Sequence, residues 1–233
     1  MGGFANNAPI VTDGLVFYVD AGNSSSYPGS GGLVENLVSS SSMSLQNMDA
    51  SNNPSSNYNS INGGILEFDG SNDHLSISGN DFVPLHSYSN FTVNGWFKAS
   101  SSQSSWVALF CYANSSDNYL TLQRDGSSSQ MKLYHGGGDV ALGNIYSNVF
   151  SGNWENITLT FSSGAVVTYL NGSQLTSSSG ISLGSPSSHF FRVFSERSTL
   201  TTSGDFSNLS IYDRALSATE ITQNYNALKN RFI

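Results

Sequence analysis

Apolar and polar residues alternate along most of the chain in short runs, each closed by Gly, Asn, Asp or Ser, which is the pattern of half-buried β-strands. Gly14-Leu-Val-Phe-Tyr-Val-Asp20 is the first such run, followed by Ile65-Leu-Glu-Phe68 and Leu75-Ser-Ile77. Between them, residues 21–60 read mostly as loop, with a low-complexity patch at Ser39 to Ser42 and breaks at Pro28 and Pro54. Phe91-Thr-Val-Asn-Gly-Trp-Phe-Lys98 alternates until Gly95, where Trp96 and Phe97 fall adjacent. That break predicts either a bulge or a strand buried on both faces. Trp106 to Tyr112, Tyr119 to Gln123 and Met131 to Tyr134 continue the series, with Arg124-Asp-Gly126 as a hairpin turn. Asn156-Ile-Thr-Leu-Thr-Phe161 keeps strict period two, and Val166 to Leu170 runs into Asn171-Gly172, a dipeptide suited to the positive φ of a tight hairpin. Phe190 to Phe194 and Leu209 to Tyr212 supply two late strands. Strands this closely spaced with no helix between them predict a sandwich or a barrel.

One helix closes the chain. Ser217-Ala-Thr-Glu220 is a capping box, and Ile221, Tyr225, Leu228 and Phe232 follow on one helical face. Nothing divides the chain into two domains. The expected organisation is a polar arm over residues 1–13 and a single domain over 14–233.

Composition changes the picture at the surface. Charged residues are only 10% of the 233, while 46 Ser, 25 Asn and 23 Gly make about two residues in five. Aromatics at 12% are enough for a core, so the surface is covered by neutral hydroxyls and amides rather than ions. Eight Lys and Arg against 16 Asp and Glu give a net charge of -8, with the basic residues scattered singly, which argues against a nucleic-acid surface. No run approaches a membrane span, so membrane insertion is not expected. Cys111 is alone, the four histidines lack zinc spacing, and the first residues carry no basic or apolar signal segment.

Five segments, in order, resemble laminin G-like domains of the concanavalin A-like superfamily. They are Gly14-Leu-Val-Phe-Tyr-Val-Asp-Ala-Gly-Asn-Ser-Ser-Ser-Tyr-Pro-Gly-Ser-Gly31, Leu66-Glu-Phe-Asp-Gly-Ser-Asn-Asp73, Phe91-Thr-Val-Asn-Gly-Trp-Phe97, Val167-Thr-Tyr-Leu-Asn-Gly172 and Leu209-Ser-Ile-Tyr-Asp-Arg-Ala-Leu-Ser-Ala-Thr-Glu-Ile221. The opening segment and the ending Asn224-Tyr-Asn-Ala-Leu-Lys-Asn-Arg-Phe232 are most similar to the version found in structural proteins of tailed phages, marine and cyanobacterial ones among them. The resemblance implies an all-β, antiparallel two-sheet jelly-roll sandwich of about a dozen strands with one short C-terminal helix. One departure is visible at Leu33-Val-Glu-Asn-Leu37, where relatives carry an aromatic or Trp-Asp pair.

The superfamily includes glycoside hydrolases, which set two Glu and an Asp on alternate positions of one strand. Here the only Glu-x-Asp is Glu67-Phe-Asp69, which runs into a turn with no third carboxylate behind it. No Gly-x-Ser-x-Gly elbow is present, and Gly136-Gly-Gly138 reads as a hairpin loop, so the expectation is a protein without catalysis. Many relatives hold a structural calcium ion, and the resemblance offers Asp20 and Gly70 as matching positions. Ser207 stands where the last-strand Asp belongs, with Asp205 as the substitute two residues away. For glycans the candidates by residue type are Trp96, Trp106, Trp154, Tyr112 and Tyr134; Trp96 is assigned to the core, Trp106 is the nearest to the surface, and Trp106, Tyr112 and Tyr134 are the ones retained.

These expectations combine into a non-enzymatic phage virion protein, a jelly-roll subunit that decorates the capsid or attaches to the tail. Its expected partners are other virion proteins, host-surface glycans and further copies of itself, and its place is the virion, assembled in host cytoplasm. The second reading is a carbohydrate-binding lectin or adhesin module.

Overall fold

The computed structural model describes residues 8–48, 57–136, 138–196 and 200–233. Its strands are β1 (Leu15–Asp20), β2 (Leu33–Glu35), β3 (Ser42–Gln46), β4 (Tyr58–Asn59), β5 (Ile65–Asp69), β6 (His74–Ser78), β7 (Asn90–Ala99) and β8 (Ala108–Ala113). They continue with β9 (Asn118–Arg124), β10 (Met131–His135), β11 (Gly138–Gly143), β12 (Glu155–Ser162), β13 (Ala165–Leu170), β14 (Ser173–Ser179), β15 (Phe190–Val193) and β16 (Ser203–Tyr212). A helical turn, α1 (Tyr146–Val149), precedes β12, and α2 (Ala218–Leu228) follows β16.

The strands form two antiparallel sheets. In the first the order is β14-β13-β12-β7-β16-β5-β4, with β1 also on β16, and in the second it is β11-β10-β9-β8-β15-β6-β3-β2. The arrangement is the expected all-β sandwich with one short C-terminal helix. Within the first sheet, β16 pairs with β5 through Ser203 to Phe206 and with β1 from Asn208 to Tyr212. Ser207 lies at the handover, where the register with β7 also shifts.

Between the sheets, Phe17, Phe82, Phe91, Phe97, Phe110, Phe191 and Phe206 fill the core, with Phe82 and Phe191 stacked at 4.8 Å. A second apolar layer lies on the outer face of the first sheet. There α2 and the residues after it bring Tyr225, Leu228 and Phe232 onto Ile65, Trp96 and Trp154. Trp96 stacks on Phe232 at 4.5 Å and on Tyr225 at 5.6 Å. This settles the Trp96-Phe97 break: β7 is buried on both faces, Phe97 pointing to the central core and Trp96 to the helix layer. The bulge belongs to the neighbouring β16. The capping box is present, Ser217 Oγ accepting from the Glu220 amide while Glu220 reaches back to the Ser217 amide.

Several strands exceed the expectation. The stretch read as loop over 21–60 contains β2, β3 and β4. In β3 the buried Met43 and Leu45 alternate with serine and glutamine, so the serine-rich setting hides a true period of two. β14 has no apolar face, because it is an edge strand held by ladder bonds to β13. Asn171 and Gly172 take φ of 51 and 79, as their hairpin requires.

The N-terminal arm is fastened where it is described. Val11 is buried, its N–H donates to Asn224 Oδ1 at 2.8 Å and its carbonyl accepts from the Tyr212 hydroxyl at 3.0 Å. Asn224 Nδ2 closes the triangle on Tyr212 at 3.0 Å, so residues of the arm, α2 and β16 share one buried network. Residues 1–7 of the arm lie outside the described residues.

Candidate functional site

At one end of the sandwich the β7–β8 loop, the β9–β10 turn, the loop before β12 and the start of β16 come together. Trp106 stands on the first of these with 41% of its surface exposed and a left-handed backbone, φ 62. A bulky side chain adopts that conformation only where its surroundings enforce it. The enforcement is visible: the Trp106 N–H donates to Gly126 O at 3.1 Å and its carbonyl accepts from Gln123 Nε2 at 2.9 Å. Gly126, φ 60, faces the indole edge.

Arg124 ties the two loops together. Its guanidinium donates to the carbonyls of Gln103 (3.2 Å), Ser104 (3.3 Å), Ser127 (2.6 Å) and, through Nε, Ser128 (2.8 Å). The same group lies 4.1 Å above the Tyr146 ring, whose hydroxyl donates to Ser101 O at 3.2 Å. Gln103 in turn clips the loop to β16, its amide nitrogen donating to Ser203 O and its oxygen accepting the Ser203 N–H at 3.1 Å. Beside this clip opens a cleft of about 280 Å³ lined by Phe68, Lys98, Ser100, Ser101, Ser203 and Asp205, among others. This end of the sandwich therefore carries an exposed aromatic whose backbone is hydrogen-bonded in place and, across the Gln103 clip, a hydroxyl-lined cleft that Trp106 does not line and that holds one ion pair, Lys98 to Asp205 at 3.0 Å. Such a surface can stack on a sugar ring and hydrogen-bond its hydroxyls without paying for loop ordering.

The other two glycan candidates are placed elsewhere. Tyr112 is fully buried near the far end of β8, its hydroxyl hydrogen-bonded to His86 Nδ1 and its ring packed against His189. Burial pushes its phenol well above the ordinary range. It lies beneath a separate cleft at the opposite end, lined by Ser78, Asn114, His189 and Phe190 among others. Tyr134 is half-buried on the outer face of the second sheet, opposite Thr121 and Asp139 and three residues beyond Met131, which pairs with Arg124 beside the turn. Burial raises its phenol as well. The three aromatics do not converge on one spot.

The residues offered for calcium are also spread out. Gly70, φ 81, packs on Ser203, Asp205 pairs across with Glu67 and is bound by Lys98, and Asp20 pairs with Asn208. Five residues of β16 separate the first from the last, ~16 Å of strand. Asp20 and Ser207 are instead brought together by Arg231, with Nη1 2.9 Å from Asp20 Oδ2 and Nη2 3.0 Å from Ser207 Oγ. Among the described residues no group of three His, Cys, Asp or Glu is arranged to hold a metal ion. The carboxylates considered for hydrolysis have internal partners: Glu67 accepts from Asn59 Nδ2 at 3.0 Å and Asp69 from the Ser71 amide at 2.7 Å.

Sequence reasoning missed Arg124, Gln103 and Arg231. The signal available was scarcity: in a chain with eight basic residues, each is costly to leave idle. Every basic side chain among the described residues touches an internal partner, from Lys98 on Asp205 to Lys229 over the Tyr225 ring at 5.7 Å.

Comparison with known proteins agrees with the architecture. A laminin G family model described as concanavalin A-like lectin/glucanases superfamily matches residues 69–222. No curated protein matches the chain. A Trypanosoma rangeli sialidase in complex with the inhibitor DANA superposes with a TM-score of 0.69 at 14% identity, over 98% of this chain and 35% of that one. This chain therefore spans about a third of the sialidase. Domain 4 of the extracellular arabinanase AbnA from Geobacillus stearothermophilus, in complex with arabinotriose, gives a TM-score of 0.65 at 13% identity, over 91% and 98% of the two chains. The binding domain of botulinum neurotoxin serotype D gives 0.63 at 14%, over 91% and 51%. At such identities the likeness is one of fold.

Proposed function

The chain belongs to the concanavalin A-like lectin/glucanases superfamily, and from that premise we propose that it is a non-enzymatic, glycan-contacting subunit displayed on a tailed-phage virion. The observation that carries the glycan contact is Trp106, exposed on a left-handed backbone that Gln123 and Gly126 of the β9–β10 hairpin hold in place. Immobilised aromatic faces beside neutral donors suit uncharged sugar rings. The arabinotriose bound to the arabinanase domain supports this by analogy of fold. Absence of catalysis is supported by the internal engagement of Glu67, Asp69, Glu155 and Glu220.

The virion placement rests on the phage-like opening and closing segments and on the neutral, hydroxyl-rich surface. Assembly contacts with capsid or tail proteins, or with further copies, fall to the sheet edges, among them the polar edge strand β14, which lies beside β11 of the other sheet. Quantitative mass spectrometry of purified particles tests it. Hundreds of copies per virion mean capsid decoration, a handful mean a tail adhesin, and none contradicts the virion reading. The second reading, a free-standing lectin module, is favoured by one observation: the arabinanase domain that this fold overlays is covered over 98% of its length. Glycan binding by a chain missing from particles selects that reading.

A further inference from the structure

We infer that the Arg231 guanidinium is the resident cation of an oxygen cage, so that the fold carries its own counter-ion at the place where the family resemblance suggested a calcium ligand. Three segments build the cage. Asp20 closes β1, the carbonyls of Asn62 and Gly64 come from the turn before β5, and Ser207 lies where β16 passes from β5 to β1. Asp20 and Ser207 contribute side-chain oxygens, and the turn contributes two backbone carbonyls.

The guanidinium uses its whole fork. Nη1 donates to both Asp20 oxygens at 3.1 and 2.9 Å, Nε to Asn62 O at 3.0 Å, and Nη2 to Gly64 O at 3.3 Å and Ser207 Oγ at 3.0 Å. A planar five-donor group fits a carboxylate flanked by carbonyls in a way a lysine ammonium does not. The entry is shaped for it: a Cβ on Gly22 would come within 2.2 Å of Nη2. Asp20 is 6% exposed and needs a positive partner in place.

Charge decides which cation wins. The cage is all oxygen, as calcium prefers, but it holds a single carboxylate. One guanidinium neutralises that carboxylate, whereas a divalent ion leaves one positive charge buried without compensation. The ligand set therefore does not fit a calcium ion while Arg231 is present. Arg231 also seats its neighbour Phe232 on Trp96 and Trp154, the latter at 4.6 Å, so the cation and the closure of the C-terminal layer are one device.

Thermal unfolding of the full chain in chelator and in millimolar calcium chloride tests this, for the wild type and for Arg231→Lys and Arg231→Met. The wild-type midpoint is expected to move by less than about 1 °C between the two conditions, and both replacements to lower it, Met by roughly 6–15 °C and Lys by less. A wild-type midpoint that drops several degrees in chelator overturns the inference, and this arm needs no variant to fold. So does an Arg231→Met protein as stable as Arg231→Lys, because the loss would then come from shape and not from charge.

Discussion

Trp106 combines two costs that a purely structural residue has no reason to bear, a left-handed backbone and a large exposed ring. Holding a non-glycine residue there costs ~1–2 kcal/mol. Trp106→Gly is therefore expected to melt ~2–4 °C above Trp106→Ala, since only glycine relaxes the backbone, while both lose the exposed indole face. Differential scanning calorimetry of the two variants checks this, and an alanine variant equal to or above the glycine variant contradicts it. At this scale the sequence was informative about residue type and poor about role. The serines flanking Trp106 marked it as exposed, and it is. Nothing marked Arg124, because its four carbonyl partners are backbone atoms whose positions only the folded loops define.

The C-terminal helix was legible as an element, since the capping box and the apolar spacing are local patterns. Arg214, followed by the Ser217 amide and hydroxyl, holds the Glu220 carboxyl down at about 2. Its folded value is thus below the ~4.3 of an unfolded carboxyl, and the cap contributes fully above that pH and is lost as pH falls toward 2. Amide protection of Glu220 and Ile221 by NMR should fall across that window in the wild type and stay flat in Glu220→Gln. Identical profiles would remove the carboxylate from the cap. The arm is a second element-scale case. Deletion through Thr12 removes both Val11 bonds and the Pro9 carbonyl that accepts from Gln223 at 2.8 Å, and should lower the melting midpoint by roughly 3–8 °C. An unchanged midpoint would mean that the Asn224 and Tyr212 groups find other partners. Two of the strands that escaped notice, β3 and β14, are ones in which serine supplies most of the polar positions.

Over the whole molecule, one logic covers the low charge, the scattered cations and the buried amides. With few ions available, the chain uses each inside: Arg124 for the Trp106 rim, Arg214 for the helix cap, Arg231 for the Asp20 cage. On the outer face of the first sheet, where the C-terminal layer packs on Ile65, Trp96 and Trp154, the buried Asn94 donates through Nδ2 to Asn156 Oδ1 at 3.2 Å and to Thr158 Oγ1 at 2.6 Å. The architecture was legible because five family-like segments stood in order. The site was legible only in part, because it depends on which loops share an end, and order along a chain does not reveal that.

The most direct measurement is titration of the full chain and of Trp106→Ala against a panel of neutral oligosaccharides, with the sugars recovered afterwards. The account predicts binding by the wild type, a loss of at least tenfold (~1.4 kcal/mol) in the variant at nearly unchanged stability, and sugars recovered intact. Equal binding by the two proteins would move the contact away from the Trp106 rim, and shortened sugars would contradict a non-enzymatic role.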